Sequence, residues 1–111
     1  MKLEQHRIGT VDVFTPIGPL VDEDGERFGK SLMERLEQPN VRMAIGMHEV
    51  PYFDSQAIER LLDVSDALAQ RAMELKLAGI TPTCREILEL TNLSGKFRFF
   101  KDVQDAVKSF L

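Results

Sequence analysis

The chain has 111 residues, of which 43% are hydrophobic and 29% charged, and it carries a formal net charge of −4 at neutral pH. That length supports one domain around one buried core, and the acidic balance argues against general nucleic-acid binding, which needs a basic surface. Two histidines and a single cysteine, Cys84, supply neither a zinc set nor an internal disulfide, and no apolar run reaches the roughly 20 residues that insert across a bilayer.

The first residues, Met1-Lys2-Leu3-Glu4-Gln5-His6-Arg7, contain no apolar stretch of the secretory kind. With one unpaired cysteine, this sets the expectation of a cytoplasmic, reducing location. Residues 2–8 and 10–17 read as two strands around Gly9, a hairpin. In the second strand Val11 and Val13 alternate with Thr10 and Asp12, and Pro16 belongs near a strand end or edge because it cannot donate to a ladder. Asp22-Glu23-Asp24 then places negative charge ahead of a helix expected over residues 25–38, whose stripe is Phe28, Leu32 and Leu36.

Residues 41–47 are apolar at every odd position, with the small Ala44 and Gly46 between them, which marks a central strand covered on both faces. The following helix is the clearest in the chain. Ile58, Leu61, Leu62, Ser65, Leu68, Ala69 and Ala72 fall on one face, and Glu59, Arg60, Asp63, Asp66, Gln70 and Arg71 on the other. Residues 74–80 read as a strand with Leu75 and Leu77 facing one way and Glu74 and Lys76 the other. Thr83 and Glu86 have capping-box spacing at the start of a third helix. Residues 97–100 form a short aromatic strand, and Asp102 caps a last helix with Val103, Ala106, Val107 and Phe110 on its face.

The resulting order, β-β-α-β-α-β-α-β-α, predicts an α/β domain over residues 1–111. Its sheet is mixed but mostly parallel, with an N-terminal hairpin and four helices joined by right-handed crossovers.

The chemistry concentrates at Asp54-Ser55, where strand gives way to helix. Unpaired amides at the positive end of a helix accept either a side-chain cap or a phosphate, so the pair reads as a cap or as a phosphoacceptor. Asp22-Glu23-Asp24 reads as a solvated helix start ahead of a cation site. His48 near Ser55 lacks an orienting acid and any Gly-x-Ser-x-Gly signature, so no catalytic residue, metal or cofactor is assigned and the chain is not read as an enzyme. Cys84 reads as a buried, inert thiol, and Phe97, Phe99 and Phe100 as core.

This layout resembles the STAS domain family, which includes bacterial anti-sigma-factor antagonists. The resemblance spans the chain. It rests on Phe53-Asp54-Ser55 opening the second helix, on Thr15-Pro16-Ile17-Gly18, and on Leu75-Lys76-Leu77-Ala78-Gly79-Ile80-Thr81-Pro82. The leucine-rich Ile87-Leu88-Glu89-Leu90-Thr91-Asn92-Leu93 completes it. It implies a cytoplasmic signalling module that regulates transcription by binding a partner that is both serine kinase and anti-sigma factor. Ser55 would be the phosphorylation site, within a surface of Asp22, His48, Tyr52, Asp54, Ser55, Gln56, Ala57 and Glu59. Behind that leading reading, the resemblance admits as alternatives a STAS scaffold without phosphorylation, in a signalling or lipid-transport assembly, or a small-ligand sensor. Three departures from the family's usual pattern stand out. Gln56-Ala57 replaces Ser/Thr-Gly, which is expected to put a methyl in a kinase's way. Asp22 comes one place late after Gly18, and Gly46 stands where an aspartate is frequent.

Overall fold

The computed structural model describes every residue from Met1 to Leu111. The elements follow the expected order: β1 (Lys2–Ile8), β2 (Val11–Ile17), α1 (Glu23–Arg35), β3 (Arg42–Gly46), α2 (Ser55–Ala69), β4 (Lys76–Ala78), α3 (Pro82–Leu90), β5 (Arg98–Phe100) and α4 (Val103–Lys108), with a 3-10 turn at Ser94–Lys96 before β5. The sheet runs β1-β2-β3-β4-β5. Only β1 and β2 pair antiparallel; the other neighbours are parallel.

The two sides of this sheet differ in side-chain size. Phe14, Met43, Ile45, Leu75 and Leu77 project into one large cluster with Phe28 and Leu32 of α1, Leu61 and Leu68 of α2, and Cys84 and Leu88 of α3. Val11, Val13, Ala44 and Ala78 meet Ala106 of α4 on the opposite side. Successive residues of a strand face opposite ways, so pairs such as Val13-Phe14, Ala44-Ile45 and Leu77-Ala78 build a thick three-helix layer on one face and a thin one-helix layer on the other.

Both faces of β2 are therefore covered, and the polar side expected from Asp12 is internal. Asp12 is 4% exposed, and its carboxylate accepts Arg35 Nε at 2.9 Å, which ties β2 to the last turn of α1. Pro16 sits in an interior strand, paired with Leu3. The β2–β3 ladder has already ended at Phe14↔Ile45, so the missing N–H leaves no gap in it.

Helices α1 and α2 approach closely along Gly25 and Gly29. A Cβ at Gly25 would lie 3.0 Å from Ala57 Cα, and one at Gly29 would lie 2.5 Å from Arg60 Cβ. Helix α1 begins two residues before the expected start, so Glu23, Asp24 and Glu26 lie inside its first turn, where acidic side chains favour the helix dipole. The expected Thr83–Glu86 capping box does not form. Helix α3 starts at Pro82, whose fixed φ suits a first helical position, and the Thr81 hydroxyl instead donates to the Val50 carbonyl at 2.9 Å.

Candidate functional site

The loops that follow β2 and β3 are joined to each other. Leu20 N–H donates to the Tyr52 carbonyl and Asp54 N–H to the Leu20 carbonyl, both at 3.1 Å, and Gly18 N–H reaches the Glu49 carbonyl at 2.9 Å. Leu20 and Phe53 form a parallel bridge, and both side chains are buried. This small zipper carries the sheet's hydrogen bonding past the strand ends and fixes the entry into α2.

Asp54 is the N-cap of α2. Its Oδ1 accepts the Ala57 N–H at 3.0 Å, and its Oδ2 accepts the Asp22 N–H at 2.8 Å. Main-chain donors at Asp22 first, then Ala57, hold its carboxyl below the usual aspartate range, because hydrogen bonds to the ionised form favour ionisation. Asp22 itself has φ 53°, a left-handed conformation that a non-glycine residue adopts only when neighbours enforce it. The Asp54 carboxylate is one such constraint.

Ser55 is the first residue of α2 and is exposed. The sequence left the cap to either member of the Asp54-Ser55 pair; the structure gives it to Asp54. Around Ser55 the fold gathers exposed Asp22, Tyr52 and Gln56, with Tyr52 at 49% exposure. Glu59, also exposed, stands one turn along α2 on the same side as Ser55. The junction thus offers a hydroxyl beside the amides that open α2, within a rim of carboxylates. No group of three potential metal ligands converges anywhere in the molecule.

Two residues assigned to this surface belong elsewhere. Ala57 is 0% exposed, because its methyl fills the space left by Gly25 at the α1–α2 contact. It cannot touch a partner, nor does its methyl stand in a kinase's path. His48 is exposed but turns toward α4. A Cβ at Gly46 would lie 3.2 Å from Val103 Cγ2 and 3.3 Å from His48 Cε1, and a Cβ at Gly79 would lie 3.2 Å from His48 Cβ. The imidazole therefore flanks the small-residue face, whereas Ser55 heads a helix on the large-residue face, and the two form no nucleophile–base pair. The same crowding, with Thr15 Oγ1 at 3.1 Å, means that any side chain at position 46 needs Thr15, Val103 and His48 to shift by a few tenths of an ångström.

The positions that sequence reading overlooked are Gly25 and Gly29. Their i, i+4 spacing within Gly25-Glu26-Arg27-Phe28-Gly29 was the available signal, since it puts two missing side chains on one helix face.

Comparison with known proteins bears on the fold. No curated protein matches the sequence. Among solved structures, an anti-sigma-factor antagonist (STAS) domain protein from Planctomyces limnophilus superposes with a TM-score of 0.85 at 18% identity, covering 96% of each chain. The phosphorylated form of the Bacillus cell fate determinant SpoIIAA gives 0.78 at 16% identity, covering 99% of this chain and 100% of that one. A sulfate transporter family protein from Wolinella succinogenes gives 0.76 at 17% identity, over 92% of this chain and 85% of the other. The family model for the STAS domain matches residues 2–106, nearly the whole length, and the chain belongs to the STAS domain family.

Proposed function

We propose that this protein is a regulatory binding module of the anti-sigma-factor antagonist type. It acts by docking a partner that is both serine kinase and anti-sigma factor, without catalysis of its own. Phosphorylation of Ser55 switches that contact off. The observation that carries this reading is the division of labour at the start of α2: Asp54 alone makes the cap, so the exposed Ser55 hydroxyl is not consumed by the fold. A phosphate there adds about −1.5 to −2 charges. The first amides of α2 tolerate it, so the helix need not move, while Asp22, Asp54 and Glu59 make the surface strongly anionic. A partner matched to the unmodified surface is then repelled without any refolding.

Intact-mass measurement after incubation with the cognate kinase tests the switch. One added phosphate on the wild type, none on Ser55→Ala, and weakened partner binding by Ser55→Asp are the expected results. No phosphate transfer, together with wild-type binding by Ser55→Asp, would overturn it.

A second reading is a STAS scaffold that is never phosphorylated. It draws support from Gly46, which stands where the family frequently has a carboxylate and is tightly surrounded by Thr15, Val103 and His48, and from the fold shared with a sulfate transporter family protein. Full regulatory function in Ser55→Ala would favour it.

A further inference from the structure

The arginines of this chain divide by position. Four of the eight pair with carboxylates: Arg27, Arg35, Arg60 and Arg85. The other four, Arg7, Arg42, Arg71 and Arg98, are exposed and sit at one pole, where the parallel strands begin. Arg7 is near the end of antiparallel β1, Arg42 opens β3, Arg98 opens β5, and Arg71 lies between α2 and β4.

Three hollows mark this pole. One, of about 480 Å³, is lined by Arg71; a second, of about 450 Å³, by Arg7 and Arg42; a third, of about 210 Å³, by Arg98 and Lys76. Met73 lines all three, so the hollows adjoin along a shared wall, and together they make a branched, open trough. Its carboxylates are Glu37 and Glu74, two against four exposed arginines, with Lys76 buried beneath them. On a chain of net charge −4, this is a concentrated positive patch at the end opposite Ser55.

Its dimensions select the ligand. Strands lie about 4.8 Å apart, so the row from Arg7 on β1 to Arg98 on β5 crosses about 19 Å. A single phosphate or carboxylate cannot bridge that row. An extended polypeptide rising about 3.4 Å per residue covers it in about six residues. Membrane surfaces and nucleic acids are also anionic, but they present charge over an area larger than the pole. The acidic remainder of the chain then opposes them, whereas a short segment feels only charges within a Debye length of about 8–10 Å.

We propose that this trough is a second docking surface, for an extended acidic segment of a partner protein, separate from the Ser55 surface.

Fluorescence anisotropy of a labelled hexaglutamate peptide with the full chain tests this. At low salt the peptide binds, and added salt weakens it. Arg7→Gln/Arg42→Gln/Arg98→Gln weakens binding about tenfold, the modest loss expected for three solvent-exposed ion pairs. Arg27→Gln/Arg85→Gln, which removes two arginines outside the trough, leaves it unchanged. The thermal midpoint of each variant, measured alongside, reports that it is folded. Absence of peptide binding, equal loss in both variants, or tighter binding to phosphatidylglycerol vesicles or duplex DNA than to the peptide would each overturn the proposal.

Discussion

The Asp54 carboxylate and the Asp22 main chain, 32 positions apart in sequence, are joined by a 2.8 Å hydrogen bond. One side chain thereby performs two tasks: it caps α2 through Ala57 and pins the loop that starts α1. The left-handed Asp22 and the start of α2 are thus held by one side chain. The site is therefore rigid on the side of Asp54 and chemically open on the side of Ser55.

Asp54→Ala removes the cap and leaves the Asp22 N–H without its partner. Loss of an N-cap costs about 1 kcal/mol, and the second bond adds a similar amount, so urea unfolding is expected to show about 2 kcal/mol less stability. Asp54→Asn, an equally good cap, keeps most of it. The pH dependence separates the two. The folded carboxyl titrates below the ordinary value of 3.8, so its contribution is present above that value and is lost as pH falls through the lower folded-state value. The wild type is expected to lose stability in acid relative to Asp54→Asn.

Ser55→Ala is expected to change stability by less than about 0.5 kcal/mol, as for an exposed residue outside any structural network. A loss near 1 kcal/mol on thermal or urea unfolding would reassign the cap from Asp54 to Ser55.

The strand and helix order was legible because each element carries its own periodicity, from Val11 and Val13 in β2 to the long stripe of α2. What was not legible depends on a second element arriving. Asp12 and Lys76 look outward by alternation, yet each is covered, by α1 and by α4. The hydroxyl of Thr81 finds Val50 rather than its own helix, because a loop distant in sequence presents a carbonyl. In the site, Asp54-Ser55 was visible as a helix start. That Ala57 is interior follows only from Gly25 across the α1–α2 contact, a pairing that local pattern does not encode.

Gly25→Ala tests that contact. Alanine favours helix by about 1 kcal/mol, so on propensity alone the variant is more stable. Its methyl would meet Ala57 Cα at 3.0 Å, main chain that cannot swing aside, and overpacking of this kind costs about 1–3 kcal/mol. A net loss is expected, with partial recovery on adding Ala57→Gly, which removes the methyl at 3.1 Å. Thermal midpoints of the two single variants and the double variant measure the coupling.

Cys84 is fully buried, its Sγ 3.5 Å from the Val50 carbonyl, and burial raises its thiol above the ordinary range. Both inaccessibility and the scarcity of thiolate suppress reaction. A thiol reagent at neutral pH is expected to leave the native protein unlabelled and to label it completely in denaturant. Rapid labelling of the native chain would show that α3 opens readily.

Lys76 gives the most discriminating pH experiment. It is 7% exposed, and its Nζ lies 2.7 Å from Ser109 Oγ and 3.4 Å from the centre of the Phe110 ring, beneath α4. Burial, then the neighbouring Arg98, lowers its pKa from 10.5. A base whose folded pKa lies below its unfolded one destabilises the fold while charged. That penalty is complete below the folded value and disappears as pH rises to the unfolded value, so the unfolded state binds more protons in between and stability climbs with pH. The hydroxyl and the aromatic ring offset the penalty in part. Lys76→Met keeps the packing volume and removes the charge, so it is expected to be at least as stable as the wild type at neutral pH. It also lacks the wild-type gain on approach to pH 10.5. Phe110→Ala, which strips the ring from the ammonium, is expected to lose about 1–3 kcal/mol. Urea unfolding of the three proteins at neutral pH and near pH 10 decides the matter. A Lys76→Met variant that is clearly less stable at neutral pH, with the wild-type slope, would show that the ammonium fastens α4 rather than burdening it.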